Sequence, residues 1–264
     1  MFDPMFDQAA GLRSVAAAHC VRVLPVVLAR DSDVAFDMVW TLGAGLSVLG
    51  HSVVALDATS REQPGRPGLA QCLKAGAEPV SSDDAPWQVL PSQSGMQTLL
   101  HTATTQGAAV ALARLASCFN PDTVVLMLAP KEWVSVLMEG SSVRPLVPFT
   151  FQPAGVVDAY SALKVLHQAG GLQPVLVPMR SEVPEAVAEQ ALSVLLDTAH
   201  RHLGWVPESR PLPDSGPAVS RDVITQWMLR MLESALLLEE PGTSGQTWTP
   251  STPREALVPQ LWSC

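Results

Sequence analysis

Dense apolar blocks alternate along the chain with stretches of helical periodicity. Val21-Arg-Val-Leu-Pro-Val-Val-Leu28 is apolar and β-branched, the form of a strand buried on both faces. A polar turn, Ala29-Arg-Asp-Ser-Asp33, follows. Val34 to Leu49 is apolar at helical spacing and stops at Gly50, a residue suited to the left-handed position after a helix. Ser52-Val-Val-Ala-Leu-Asp57 is a second strand that ends in a carboxylate. Strand, turn, helix, glycine and strand in this order predict a βαβ unit with a parallel sheet.

The alternation continues downstream. Residues 60–95 are rich in Pro, Gly and Ser, with a short helix expected around Leu69 to Ala75. Thr98 to Cys118 reads as one helix, and the block from Pro121 to Pro130 as a third buried strand. Leu146 to Phe151 and Pro174 to Met179 are two more strands, separated by a helix from Pro153 to Ala169 that stops at Gly170-Gly171. Pro184 to Leu203 is helical, Gly204-Trp-Val-Pro207 is a short strand-like stop, and Val219 to Leu238 is a last helix. The pattern predicts a doubly wound α/β domain over residues 21–240, with a mostly parallel sheet and helices on both faces. Residues 1–20 are expected as a separate N-terminal helix, capped by Asp7 and interrupted by Gly11, with Phe6, Ala10, Leu12, Val15 and Ala16 on its apolar side. Residues 241–264 are Pro/Thr/Ser-rich and are expected as a flexible tail.

Composition narrows the function classes. The formal net charge is −9, so no basic field is available for nucleic acid. No run of roughly 18 apolar residues is present, so no membrane-spanning helix is expected. Residues 1–13 hold Asp3 and Asp7 ahead of any Arg and lack the apolar core of an export signal, which points to the cytoplasm. Cys20, Cys72, Cys118 and Cys264 are widely spaced without a CxxC pair, and are expected as reduced thiols rather than zinc ligands. Of the 16 basic residues only Lys74, Lys131 and Lys164 are lysines, and none follows a glycine-rich turn.

In a doubly wound sheet, ligands sit beyond the carboxyl ends of the strands. The turn after the first strand is therefore the place for a phosphate cradle, which needs glycines and a Lys. It offers Ala29-Arg-Asp-Ser-Asp-Val-Ala-Phe-Asp37, with three Asp and neither Gly nor Lys. Carboxylates there repel a triphosphate. Asp31, Asp33 and Asp37 lack the Gly turn and closing Glu of an oxygen-ligand metal loop, and are expected as a solvated turn and helix start. Lys131 and Glu132, after the third strand, read either as an acid/base pair or, more simply, as exposed loop charges. Asp57 reads as a metal- or water-positioning group if a nucleotide is present, and without one as a helix cap or a hydrogen-bonded strand end. The histidines, at 19, 51, 101, 167, 200 and 202, sit in no Gly-x-Ser-x-Gly elbow, and His200 and His202 are expected as a surface pair.

Asp7-Gln-Ala-Ala-Gly-Leu-Arg13 resembles the DQAxxLR motif of the FlhG/FleN family of flagellar number regulators, which are MinD/ParA-type P-loop ATPases. Gly50 to Asp57 is similar to that family's strand ending in Asp. Phe149 to Lys164, with Asp158-Ala-Tyr160, resembles its TPEPT…TDAYALIK segment, and Leu203-Gly-Trp-Val-Pro207 its LGxIP strand. The departures lie at the nucleotide site. Residues 30–37 stand where the family has KGGVGKT, and Leu128-Ala-Pro-Lys-Glu132 where it has DTGAG; only Asp57 matches.

The resemblance, with these departures, implies a MinD-like fold whose site is degenerate, without cofactor or metal and with Asp57 as a vestige. It further implies that the N-terminal segment docks on FlhF, the SRP-type GTPase that places flagella at the pole, and stimulates its GTP hydrolysis. Gln8 would then enter the partner's active site, with Phe6 and Leu12 as apolar anchors and Asp7 and Arg13 as polar ones. Gln suits that role because it is a neutral donor and acceptor that positions attacking water. Location at the inner membrane or cell pole would follow from the partner. The last helix has an apolar face of Ile224, Trp227, Met228, Met231, Ala235 and Leu238, but only Arg221 and Arg230 as cations, so core packing is expected rather than lipid binding. Two alternatives stay open: an active ATPase in which Arg30 or Lys131 replaces the missing lysines, and an adaptor for an unrelated partner.

Overall fold

The computed structural model describes residues 20–29, 32–66, 68–74, 87–179, 183–213 and 221–238. The predicted segments 1–20 and 241–264, with Phe6, Asp7, Gln8, Leu12 and Arg13, lie outside the described residues apart from Cys20, as do Arg30 and Asp31.

Alternating strands and helices build a mostly parallel sheet. The elements are β1 (Val21–Val27), α1 (Ser32–Val48), β2 (Ser52–Asp57), α2 (Leu69–Cys72), β3 (Trp87–Pro91), α3 (Gln93–Gln106), α4 (Ala108–Ala116) and β4 (Thr123–Ala129). They continue with α5 (Lys131–Leu137), β5 (Leu146–Phe149), α6 (Pro153–Gly170), β6 (Val175–Pro178), α7 (Glu185–Leu203), β7 (Glu208–Ser209), α8 (Arg221–Leu232) and β8 (Leu236–Leu238). The strand order is β3-β2-β4-β1-β5-β6-β7, with β8 antiparallel to the start of β1.

Side-chain alternation sorts β1 between two cores. Val21, Val23 and Val27 pack on α3 to α7 with Leu99, Leu115, Leu163 and Leu166. Leu24 and Val26 face the opposite side with Met38, Leu42 and Leu46 of α1 and Trp227, Met228 and Met231 of α8. The predicted helices on both faces are therefore present, and the apolar face of the last helix packs in the core. Pro25 is tolerated in this central strand for a positional reason. The Leu28 N–H donates to Ala129 O on β4, so residue 25, of opposite parity, points its missing N–H away from β4. On that other side, β8 pairs with residues 21–23 and β5 only with Val26.

Five expectations about the elements are corrected. The Pro/Gly/Ser-rich stretch contains β3, which pairs with Val53 to Asp57 of β2 as an edge strand. The single helix from 98 to 118 is two helices, because Gly107 takes φ +99° between α3 and α4. Lys131 and Glu132 are not in a loop; they open α5. The strand-like stop at 204–207 gives way to β7 at Glu208–Ser209, parallel to β6. The last helix ends at Leu232, and Ser234 two residues on is buried. The Ser234 carbonyl accepts from Arg144 N at 3.0 Å, and its hydroxyl accepts from Arg210 Nη1 at 3.3 Å. The chain then reverses into β8.

Candidate functional site

The carboxyl ends of β1, β2, β4 and β5 lie along one edge of the sheet and are stitched together. Leu28 N donates to Ala129 O at 2.8 Å, Ala58 N to Leu128 O at 3.1 Å, and Met179 N to Phe149 O at 2.8 Å. Strand order reverses beside β1, because the chain fills β2, β3 and β4 on one side before crossing to β5 on the other. A crevice opens at that switch point, as the topology requires. It has a volume of about 130 Å³ and is lined by Ala29, Val34, Phe149, Thr150, Gln152, Ala154, Gly155 and Asp158.

Each wall has a local cause. Val34 comes from the first turn of α1, next to the exposed Asp33. Gln152 and Pro153 start α6, where Pro at the first helical position loses no needed N–H. Gly155 lets that turn press on the end of β5: a Cβ there would lie 2.6 Å from Thr150 O and 2.9 Å from Thr150 Oγ1. Beyond Asp158 the floor continues into an open hollow with Lys131, Val157 and Ser161. Lys131 Nζ sits 3.5 Å from Asp158 Oδ1, so this cation of the hollow is paired with a carboxylate of the crevice wall.

The described lining presents no cation to a nucleotide triphosphate. It carries the Asp158 carboxylate, and residues 29–37 of the sequence contain no glycine to bring backbone N–H groups close. Asp57, the one match to the family's site, is 7% exposed and turned to its own loop. Its Oδ1 accepts from Thr59 N at 2.9 Å and Thr59 Oγ1 at 2.6 Å, and its Oδ2 from Ser60 Oγ at 2.5 Å. This is the hydrogen-bonded strand end expected from the sequence. Asp33 and Asp37 are exposed on α1, as a solvated helix start requires, and Lys131 and Glu132 form no acid/base pair, since Lys131 faces Asp158.

Burial pushes the Cys118 thiol up to about 12, and burial also raises Cys72, so neither is a thiolate near neutral pH. No disulfide joins the described cysteines. His200 and His202 are exposed on the last turn of α7. Among the described residues, no group of three His, Cys, Asp or Glu could hold a metal ion, and no helix is long and apolar enough to cross a membrane.

Two features escaped the sequence reading. Glu62 caps α3 from a distance: its carboxylate accepts from Ser94 N and Gly95 N at 2.8 Å each and from Ala70 N at 3.2 Å. Burial by itself would raise its pKa, but the Ser94 and Gly95 N–H groups outweigh that and hold it below the usual carboxylate range. No local spacing signals a cap supplied from 32 residues away. Trp40 and Trp87 pack edge-to-face with ring centroids 4.9 Å apart at 79°. The aromatic and β-branched run Trp87-Gln-Val-Leu was the available signal for β3.

No protein-family model matches the chain, and no curated protein matches it by sequence. Solved structures do match. McdA from Cyanothece, in an ATP complex, is 16% identical over 81% of this chain and 88% of its own, with a TM-score of 0.53. A plasmid partition protein from Borrelia burgdorferi bound to AMPPNP is 11% identical over 80% of this chain and 98% of its own, at 0.52. Cobyrinic acid a,c-diamide synthase from Mycobacterium smegmatis, with ADP and magnesium, is 19% identical over 87% and 100%, at 0.50. Sheet order, parallel register and these likenesses together show that the chain has the MinD/ParA-like α/β fold.

Proposed function

We propose that this chain is a binding protein on an ATPase fold, a degenerate relative of the FlhG/FleN regulators that acts on a partner's GTPase instead of turning over ATP. Its N-terminal segment docks on the SRP-type GTPase FlhF. Gln8 enters the partner's site and orients the attacking water, while Phe6 and Leu12 anchor the segment and Asp7 and Arg13 fix its register. The outcome is control of flagellar number or placement.

The observation that carries this reading is a contrast within one chain. The DQAAGLR motif is kept whole, while the described lining of the crevice where the fold would hold a nucleotide has Asp158 as its charged group, and Lys131 of the adjoining hollow is paired with it. Co-purification with FlhF and GTP hydrolysis measured with and without the chain test it. Wild type should bind and accelerate hydrolysis, and Gln8→Ala should bind without accelerating. Equal acceleration by both removes the role of Gln8, and no binding by either removes the partner.

A further inference from the structure

We propose that the outer face of α1, with the edge strand β3, is a docking surface for a protein segment that presents a guanidinium or ammonium group beside an apolar side chain. This inference does not depend on the FlhF reading.

Trp40 is 65% exposed, whereas Trp227 on the same face of the sheet is 7% exposed. An indole left in water on a well-packed helix is a large uncovered apolar area. It also packs against a second ring. Its contact with Trp87 sets two rings nearly at right angles and forms an aromatic corner. Asp37 is exposed one turn before Trp40 on the same side of α1, at the spacing that makes helix neighbours. Both residues line two hollows, one of about 170 Å³ with Phe36, Trp87 and Val89, the other of about 540 Å³ running toward Leu212 and Ile224. Trp40 and Asp37 thus form a ridge with open space on each side.

Charge chooses the occupant. The only charged residues of α1 are Asp33 and Asp37, and among the described residues every charged one lining the two hollows is an Asp. A cation over an indole face gains from the ring quadrupole, and a carboxylate one helical turn away adds an ion pair. Val89, 40% exposed on β3, offers the apolar step beside them. Anionic lipid is opposed by the same carboxylates. A cationic and apolar peptide segment is the chemistry that satisfies the whole surface.

Fluorescence anisotropy of the full chain with a fluorescein-labelled peptide of alternating Arg and Leu tests this, with an alternating Glu and Leu peptide as its counterpart. Wild type should bind the Arg peptide only. Trp40→Ala and Asp37→Asn should each weaken binding by about tenfold, Trp40→Phe should fall between, and Glu189→Gln on the far helix α7 should bind like wild type. Far-ultraviolet circular dichroism confirms that each variant is folded. No binding by wild type, unchanged binding by Trp40→Ala, or an equal loss in Glu189→Gln overturns the proposal. So does a wild-type dimer in sedimentation that Trp40→Ala dissolves, because the surface then belongs to a second copy.

Discussion

Lys131 Nζ lies 3.5 Å from Asp158 Oδ1 and joins the first turn of α5 to the middle of α6 at the rim of the switch-point crevice. The side chains keep 21% and 23% exposure, so solvent screens the pair. Lys131→Met is expected to lower stability by less than ~1 kcal/mol in urea denaturation. A loss of several kcal/mol would mean that the pair holds α5 in place rather than only occupying the lysine.

Glu62 ties three backbone N–H groups of α2 and α3 together. Glu62→Ala should cost about 1–2 kcal/mol at neutral pH, the worth of a lost cap. The pH dependence follows from the direction of its shift. The folded-state value is lowered, so the stabilisation is full above the unfolded value of about 4.3 and is lost as pH falls through the lower folded value. Urea midpoints of wild type and variant should therefore converge in acid. A gap that persists there would contradict the carboxylate as its source.

Gly95 and Gly45 should respond differently to Ala. A Cβ on Gly95 would lie 2.6 Å from Leu69 Cγ and 2.7 Å from Ala70 N, which is backbone and must move as a unit. A Cβ on Gly45 would meet Met228 Sδ and Cε, the far end of a flexible side chain. Gly95→Ala is expected to destabilise by about 1–3 kcal/mol and Gly45→Ala by less. Thermal melts of the two variants check the order.

Much of this architecture was legible because burial on both faces makes parallel strands apolar throughout. β1, β2 and β4 announce themselves in that way, and Gly50 and Gly171 mark helix ends at φ +88° and +65°. What the pattern misses depends on partners remote in sequence. β3 is short and half-covered, so it lacks a continuous apolar run. α8 stops where Arg144 and Arg210 reach Ser234, and helical periodicity continues past that point in the sequence. At the crevice, the missing glycines and lysine could be read directly, but the pairing of Lys131 with Asp158 could not.

Arg210 closes the end of α8. Its guanidinium donates to the Arg230 carbonyl and to Ser234 Oγ, and its Nε pairs with Glu208 Oε1 at 2.5 Å. The Arg210 contact, ahead of burial and of the Arg144 contact, accounts for the lowered pKa of Glu208. Arg210→Ala should cost about 1.5–3 kcal/mol, the range for hydrogen bonds to a charged group. Arg210→Lys should recover little, because one ammonium does not span the three acceptors. Full recovery by Lys, read as the urea midpoint, would show that charge alone matters there.

Calorimetric titration of the full chain with Mg-ATP tests most directly the claim that this fold works by docking rather than by nucleotide turnover. The lining of the crevice predicts no saturable heat at millimolar nucleotide and no release of phosphate. A stoichiometric binding isotherm accompanied by ATP hydrolysis would contradict it.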